Sequence, residues 1–165
     1  MPITASIPAF DPLSIAISGT NLIEASAGTG KTYGIAALFT RLVVLEQMPV
    51  ESILTVTFTK AATAELKTRL RARLDEVLQA LESMEDTDNL SDDLAAYCRD
   101  NHPGDVFLTG LLKQALAQES RARLIVRLKA AIGQFDNAAI YTIHGFCQRI
   151  LRDYAFLCRA PMDVE

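Results

Sequence analysis

The sequence is poor in the residue types that build metal centres and disulfide frameworks. It has three cysteines, Cys98, Cys147 and Cys158, which are odd in number and unevenly spaced, and two histidines that lie far apart. No Cys-x-x-Cys pair occurs, so a zinc site is not expected. We predict free thiols, as in a protein of a reducing compartment such as the cytoplasm.

Positive charge and long apolar runs are also missing. The net charge is -4, so no overall positive field attracts nucleic acid, and such a partner would need a local basic patch. No apolar run is long enough to span a membrane. The first residues lack the basic start and apolar core of a secretory signal. With 50% hydrophobic and 22% charged residues, the composition is typical of a soluble globular domain.

What the sequence does contain is the pattern of a phosphate-binding loop. A short apolar run over 22–25, predicted to be a strand, precedes the loop, and an apolar helix predicted over 31–47 follows it. The loop residues are Ala25, Ser26, Ala27, Gly28, Thr29, Gly30, Lys31 and Thr32. Small residues let backbone amides converge on an anion at a helix N-terminus, where Lys31 reaches phosphate and the Thr32 hydroxyl binds Mg²⁺. The alternative is a glycine-rich turn with an accidental lysine.

Hydrophobic periodicity predicts an α/β fold with a parallel sheet, because strands and helices alternate along the chain. Residues 1–20 are predicted to be an extended lead-in. The further strands are predicted over 53–58 and 138–143, and the further helices over 61–84, 94–99 and 147–157, with one long helix or two over 105–135.

Polar and aromatic side chains follow the ends of the predicted strands. Because the carboxyl ends of parallel strands share one edge, we expect these exits to lie together and to bind a ligand. Hydroxyl groups and a lysine suit a sugar-phosphate backbone, and aromatic rings can stack on bases. The alternatives are that Phe58 and Phe146 belong to the core, that His144 is an ordinary strand-end residue, and that the Lys/Arg cluster over 60–73 is a solvated helix face.

Three segments resemble the conserved motifs of UvrD/Rep-type superfamily 1 helicases: 21–32 resembles motif I, 57–66 motif Ia and 142–149 motif Ib. The segments 61–66 and 143–148 are similar to the RecB-like branch, the beta subunits of exodeoxyribonuclease V. The resemblance implies a P-loop NTPase (RecA-like) α/β fold, a partial parallel sheet flanked by helices that forms the first part of helicase lobe 1A.

The same resemblance implies an ATP-dependent 3′-to-5′ DNA helicase/exonuclease subunit acting in double-strand break repair and recombination. ATP and Mg²⁺ would be the cofactors, with Lys31 and Thr32 at the phosphates and the metal. The partners would be single-stranded DNA, duplex ends, and RecC-like and RecD-like subunits. The residues that would line the DNA track are Thr59, Lys60, Thr142, His144 and Phe146.

Other motifs of that family have no match in the sequence, since no apolar strand ending in Asp-Glu follows motif Ib. We therefore expect residues 1–165 to be the N-terminal part of the ATP-binding domain, truncated before the Walker B motif, with little or no ATP turnover. Exposed sheet edges would then favour self-association. The alternatives are another P-loop protein, such as a small nucleotide kinase or GTPase, and a non-catalytic interaction fragment.

Overall fold

The computed structural model describes residues 9–25, 30–84 and 90–155, with the side chains of 90–93 left out. Most of the described residues are helical, and two short strands pair to form a small parallel sheet. The α-helices are α1 (Lys31–Val44), α2 (Lys60–Ser83), α3 (Leu90–Asn101), α4 (Val106–Gln118), α5 (Arg121–Gly133) and α6 (Ile143–Asp153), and the strands are β1 (Thr55–Thr57) and β2 (Ile140–Thr142). Single 3₁₀ turns cover Val50–Ser52 and Phe135–Asn137.

The sheet consists of β1 and β2, which pair in parallel. Thr55 faces Ile140, and Thr57 faces Thr142 at the carboxyl ends of the two strands. This pairing confirms the predicted parallel connection between the second and third predicted strands. Each strand is shorter than the run of β-branched residues around it. The shortening is physical, because a strand extends only as far as its partner supplies ladder hydrogen bonds.

The strand predicted over 22–25 is wrong. Residues 21–25 have no strand conformation, and the Leu22 side chain is 84% exposed. An apolar run forms a strand only when a neighbouring strand accepts and donates its backbone hydrogen bonds. Among the described residues, β1 and β2 pair with each other and neither pairs with this segment. The predicted phosphate-binding loop therefore follows a segment without regular secondary structure.

The core is built around α2, which packs against α1, α3, α5 and both strands. The apolar stripe of α2 is buried at Leu66, Leu70, Leu74, Val77 and Leu81 and half-buried at Leu78. The buried residues of α1, α4 and α5 that belong to the same core cluster are Phe39, Val43, Val44, Leu108, Leu111, Leu112, Leu124 and Leu128. Burying each large side chain contributes about 1.5–3 kcal/mol relative to leaving it exposed.

α1 ends at Val44, before the predicted residue 47. Gln47 has a φ of 55°, in the left-handed region that helices do not continue through. Two of the last carbonyl oxygens of α1, those of Val43 and Val44, accept hydrogen bonds from Arg127 of α5 at 2.6 and 2.7 Å. Arg127 also pairs with Glu119. A side chain from a distant helix thus satisfies carbonyl groups that a helix end would otherwise leave without partners.

The segment over 105–135, predicted as one long helix or two, forms two helices, α4 and α5. They meet at Glu119 and Ser120, which are both extended. α6 starts at Ile143, four residues before its predicted start, because Thr142 caps its N-terminus and accepts a hydrogen bond from the Gly145 amide at 3.0 Å. No helix in the described ranges has both the length and the hydropathy that a membrane crossing requires.

Candidate nucleotide site and the adjoining sheet edge

The structure describes only the first residue and the last three residues of the predicted phosphate-binding loop. Ala25 begins it, and Gly30, Lys31 and Thr32 complete it. Ser26, Ala27, Gly28 and Thr29 lie outside the described residues. Gly30 has φ 85° and ψ 24°, a left-handed conformation in which a side chain would be strained. This position needs glycine, as the motif predicts.

The N-terminus of α1 has the charge and the hydrogen-bond donors that favour an anion. Among the described residues no side chain caps this helix, and its first turn contains no acidic residue. The helices α2 and α6 differ, because Thr59 and Thr142 cap them with hydroxyl groups. Uncapped amides at a helix N-terminus carry partial positive charge and attract phosphate. The donor set at α1 therefore fits a polyphosphate.

The Lys31 ammonium group, near the end of the predicted loop, bonds to the residue at its start. Its Nζ donates to the carbonyl oxygen of Ala25 at 2.6 Å, so one end of the loop is bonded to the other. The side chain is exposed, and a phosphate oxygen is a stronger acceptor for it than a neutral carbonyl. Thr32, the next residue, is half-buried in the first turn of α1. Lys31 and Thr32 are thus the first two residues of α1, and their role toward nucleotide stays a prediction.

A cavity of about 550 Å³ adjoins Lys31. That volume falls within the range of small-molecule sites, roughly 300–1,000 Å³. The ring of Phe10 covers Gly34 in one wall, where a β-carbon would lie 3.1 Å from Phe10 Cε1. The cavity is lined by Phe10, Ile23, Glu24, Ala25, Gly30, Lys31, Gly34 and Ile35. It therefore combines apolar walls with the ammonium group of Lys31 and the carboxylate of Glu24.

The carboxyl ends of β1 and β2 bring two of the three predicted exits together. Thr57 faces Thr142 in the last register of the sheet, so the helices α2 and α6 begin side by side. Thr59 Oγ1 accepts from the Ala62 amide at 3.1 Å, and the hydroxyls of Thr57 and Thr63 lie 2.6 Å apart. Thr59 and Thr142 are thus helix caps, and their role toward DNA stays a prediction.

The aromatic residues of this edge differ from each other. Phe58 is 90% exposed, so the interpretation that it belongs to the core is wrong. Phe146 is half-buried, and its ring stacks on Tyr141 with the centroids 6.4 Å apart. Lys60 and His144 are exposed. The edge therefore presents a ring, an imidazole and an ammonium group to solvent.

The basic cluster over 60–73 is mainly a solvated helix face, which was the alternative interpretation. Arg69 pairs with Glu65 at 2.7 Å, and Arg71 lies 3.6 Å from Asp136, all four being exposed. Arg73 is the exception, because it is buried.

Sequence reasoning missed the cluster around Arg73, which joins three helices near the loop. Arg73 of α2 contacts Glu76, Asp105 and the rings of Tyr33 and Phe107. One signal was available, because position 73 falls on the buried stripe of α2, at helical spacing from Leu66, Leu70 and Val77. A charged residue on such a stripe requires a buried partner.

The charges of this cluster alter the pKa values of its members. Burial alone would lower the pKa of Arg73, but hydrogen bonds to Glu76 and Asp105 more than offset that effect and raise it. Arg73 therefore stays charged. Burial raises the pKa of the Tyr33 phenol, and the negative charge of Asp105 raises it further.

Comparison with known protein families shows which family the chain belongs to. Residues 11–163 match the UvrD/REP helicase N-terminal domain, and the chain belongs to that family. The matched range includes the loop, the sheet edge and the Arg73 cluster.

The similar proteins point to one branch of the family. The chain is 41% identical to the RecBCD enzyme subunit RecB of Haemophilus influenzae over 162 residues, which are 94% of this chain and 12% of that protein. It is 42% identical to the RecBCD enzyme subunit RecB of Escherichia coli over 154 residues, 88% of this chain and 11% of that protein. The RecB subunit of Mycobacterium tuberculosis is 32% identical over 146 residues. The chain thus spans about an eighth of the length of these relatives.

Proposed function

We propose that residues 1–165 form the nucleotide-binding part of a RecB-like, ATP-dependent 3′-to-5′ DNA helicase subunit. The subunit would act in double-strand break repair and recombination, with RecC-like and RecD-like partners in the cytoplasm. The proposal rests mainly on one observation, the Lys31 ammonium group at the N-terminus of α1, which no side chain caps among the described residues. The domain is the first part of a RecA-like lobe, to which the parallel pair of β1 and β2 contributes.

Each residue of the loop has a distinct role in this proposal. Gly30 turns the chain so that the amides of α1 face the phosphates, and Lys31 exchanges the Ala25 carbonyl for a phosphate oxygen. Thr32 supplies a hydroxyl ligand for Mg²⁺, and the metal neutralises phosphate charge when it is bound. The adjoining cavity receives the remainder of the nucleotide. Phosphoryl transfer also needs groups that position water and stabilise the γ-phosphate, so these residues alone bind ATP and turn it over slowly.

Nucleotide binding is tested by titrating the chain with a fluorescent ATP analogue and Mg²⁺. Substituting Lys31→Ala removes a charge-assisted hydrogen bond of about 1.5–3 kcal/mol and weakens affinity roughly 10- to 150-fold. Lys113→Ala, which removes an exposed lysine of α4, is the matched control and leaves affinity unchanged. Equal affinities for the two variants, or fast Lys31-dependent hydrolysis, would contradict the respective part of the proposal.

The sheet edge is proposed to hold single-stranded DNA. The exposed ring of Phe58 offers a stacking surface, Lys60 contacts phosphate, and the N-termini of α2 and α6 point toward the same edge. Thr59 and Thr142 hold those N-termini in place, and His144 and Phe146 continue the track.

DNA binding is tested with a labelled oligonucleotide at several salt concentrations. Phe58→Ala removes one stacking contact, worth roughly 1–3 kcal/mol, and Lys60→Ala makes the salt dependence shallower by about one phosphate contact. Val126→Ala, at an exposed apolar residue of α5, serves as the control. Binding that is independent of both edge residues would favour a different P-loop protein or a non-catalytic interaction role.

A further inference from the structure

Arg73 is a charged residue in an apolar stripe. It is 9% exposed. Its Nη1 lies 2.7 Å from Glu76 Oε2, and its Nη2 lies 2.6 Å from Asp105 Oδ2. A buried guanidinium is costly unless carboxylates compensate its charge, and here two of them do. The pairing with Asp105 reaches from α2 to the start of α4.

The same guanidinium touches the first turn of the loop helix. Its central carbon lies 5.7 Å from the ring centre of Tyr33 and 5.3 Å from that of Phe107. Tyr33 directly follows Lys31 and Thr32 in the chain. Its hydroxyl lies 3.5 Å from Asp105 Oδ1, an oxygen that also accepts the Leu108 amide at 2.9 Å and caps α4.

Among the described residues, the first turn of α1 is otherwise held by the Lys31 hydrogen bond to the Ala25 carbonyl and by the Phe10 ring over Gly34. Lys31, Tyr33 and Ile35 are exposed, and the turn starts from the left-handed Gly30. Gly34, also in this turn, adds backbone freedom. The contacts of Tyr33 with Arg73 and Asp105 therefore tie this turn to α2 and to the start of α4.

We propose that Arg73 and Asp105 are positioning residues for the nucleotide site, holding Tyr33 and through it the turn that carries Lys31 and Thr32. The proposal deepens the function proposed above and rests on it for its nucleotide part. A residue that acts in this way changes the affinity of a ligand it does not touch, because misplacing the loop helix misplaces both phosphate-binding groups.

The first experiment needs no nucleotide. Amide hydrogen exchange over residues 30–36 is compared between the unaltered chain, Arg73→Lys and Arg127→Lys. Arg127 binds the opposite end of α1, so both variants remove a guanidinium that holds this helix. Exchange in the first turn should become several-fold faster in Arg73→Lys and stay unchanged in Arg127→Lys. Equal exchange in the two variants would overturn the proposal.

The second experiment measures affinity for the fluorescent ATP analogue. Tyr33→Leu removes the ring and hydroxyl without disturbing the buried ion pairs, so it serves even if Arg73→Lys folds poorly. We expect about fivefold weaker binding for each variant, the size of one partly desolvated cation–π contact. The double variant Tyr33→Leu with Arg73→Lys should bind no more weakly than either single one, since both break the same link.

The control cycle pairs Tyr33→Leu with Arg127→Lys, whose effects on affinity should be independent. Independent effects of Tyr33→Leu and Arg73→Lys on affinity would overturn the proposed link. Failure of the unaltered chain to bind the analogue would overturn the proposed function and the nucleotide part of the inference. Hydrogen exchange would then still decide whether Arg73 holds the first turn.

Discussion

The two ends of α1 are held in different ways. At the C-terminal end, Phe39, Thr40, Val43 and Val44 are buried, and Arg127 satisfies the terminal carbonyls. At the N-terminal end, Lys31 and Tyr33 are exposed, and the contacts are an ammonium on a loop carbonyl and a ring against a guanidinium.

The C-terminal end of α1 therefore contributes mainly to stability, and the N-terminal end carries the residues proposed to bind nucleotide. Buried apolar contacts at the C-terminal end are costly to lose and anchor the helix in the core. The contacts at the N-terminal end are weaker and solvated, so the proposed exchange of the Ala25 carbonyl for a phosphate oxygen would cost little. Ligand-binding segments generally come from the less stable parts of a fold.

The largest effect is expected at the buried end. Phe39 is 2% exposed and packs edge-on against Phe135, with ring centroids 6.1 Å apart. Phe39→Ala should lower the free energy of unfolding by about 3–5 kcal/mol, because the cavity cannot be refilled. Ile35→Ala, at an exposed position of the same helix, should cost less than about 1 kcal/mol. Urea denaturation measures both, and equal losses would contradict the comparison.

A smaller effect is expected at the turn that opens α1. Gly30→Ala places a side chain at φ 85° and should lower stability by about 1–2 kcal/mol. It should also weaken nucleotide binding, because the strain moves Lys31. Gly133→Ala is the matched control, since Gly133 is at the end of α5 with open space around it and no positive φ. That change should leave stability equal or raise it by roughly 0.5–1 kcal/mol.

The smallest effect concerns pH at the loop end of α1. Because burial and Asp105 raise the Tyr33 pKa above its usual 10.0, the folded chain keeps this proton longer than the unfolded chain does. The resulting stabilisation is complete below pH 10 and is lost as the pH rises through the folded pKa. Ultraviolet absorbance of the tyrosinates should show one late-titrating phenol that disappears in Tyr33→Phe.

A different substitution, at Asp105, separates the effect of burial on the Tyr33 pKa from the effect of charge. In Asp105→Asn the Tyr33 pKa should move part of the way back toward 10.0, because the burial contribution stays and the charge is removed. An unchanged titration would mean that Asp105 does not act on Tyr33.

Local signals predicted much of the fold. The stripe of α2, the Gly30-Lys31-Thr32 run and the two β-branched segments are each readable within a few residues, and the structure has helices or strands in nearly those places. The strand over 22–25 was predicted wrongly because its neighbour in a sheet is not encoded in its own residues. The start of α6 was missed although Thr142 is a favourable cap.

By itself the sequence determined the elements, the phosphate-binding pattern and the family, because helix periodicity, caps and motifs depend on residues close together in the chain. Tertiary structure alone decided which groups meet around α1. Tyr33 and Asp105 are 72 residues apart, and Arg127 and Val43 are 84. Contacts of that range depend on the buried leucines of α2, α4 and α5, because the packing of those side chains brings the distant charges within reach.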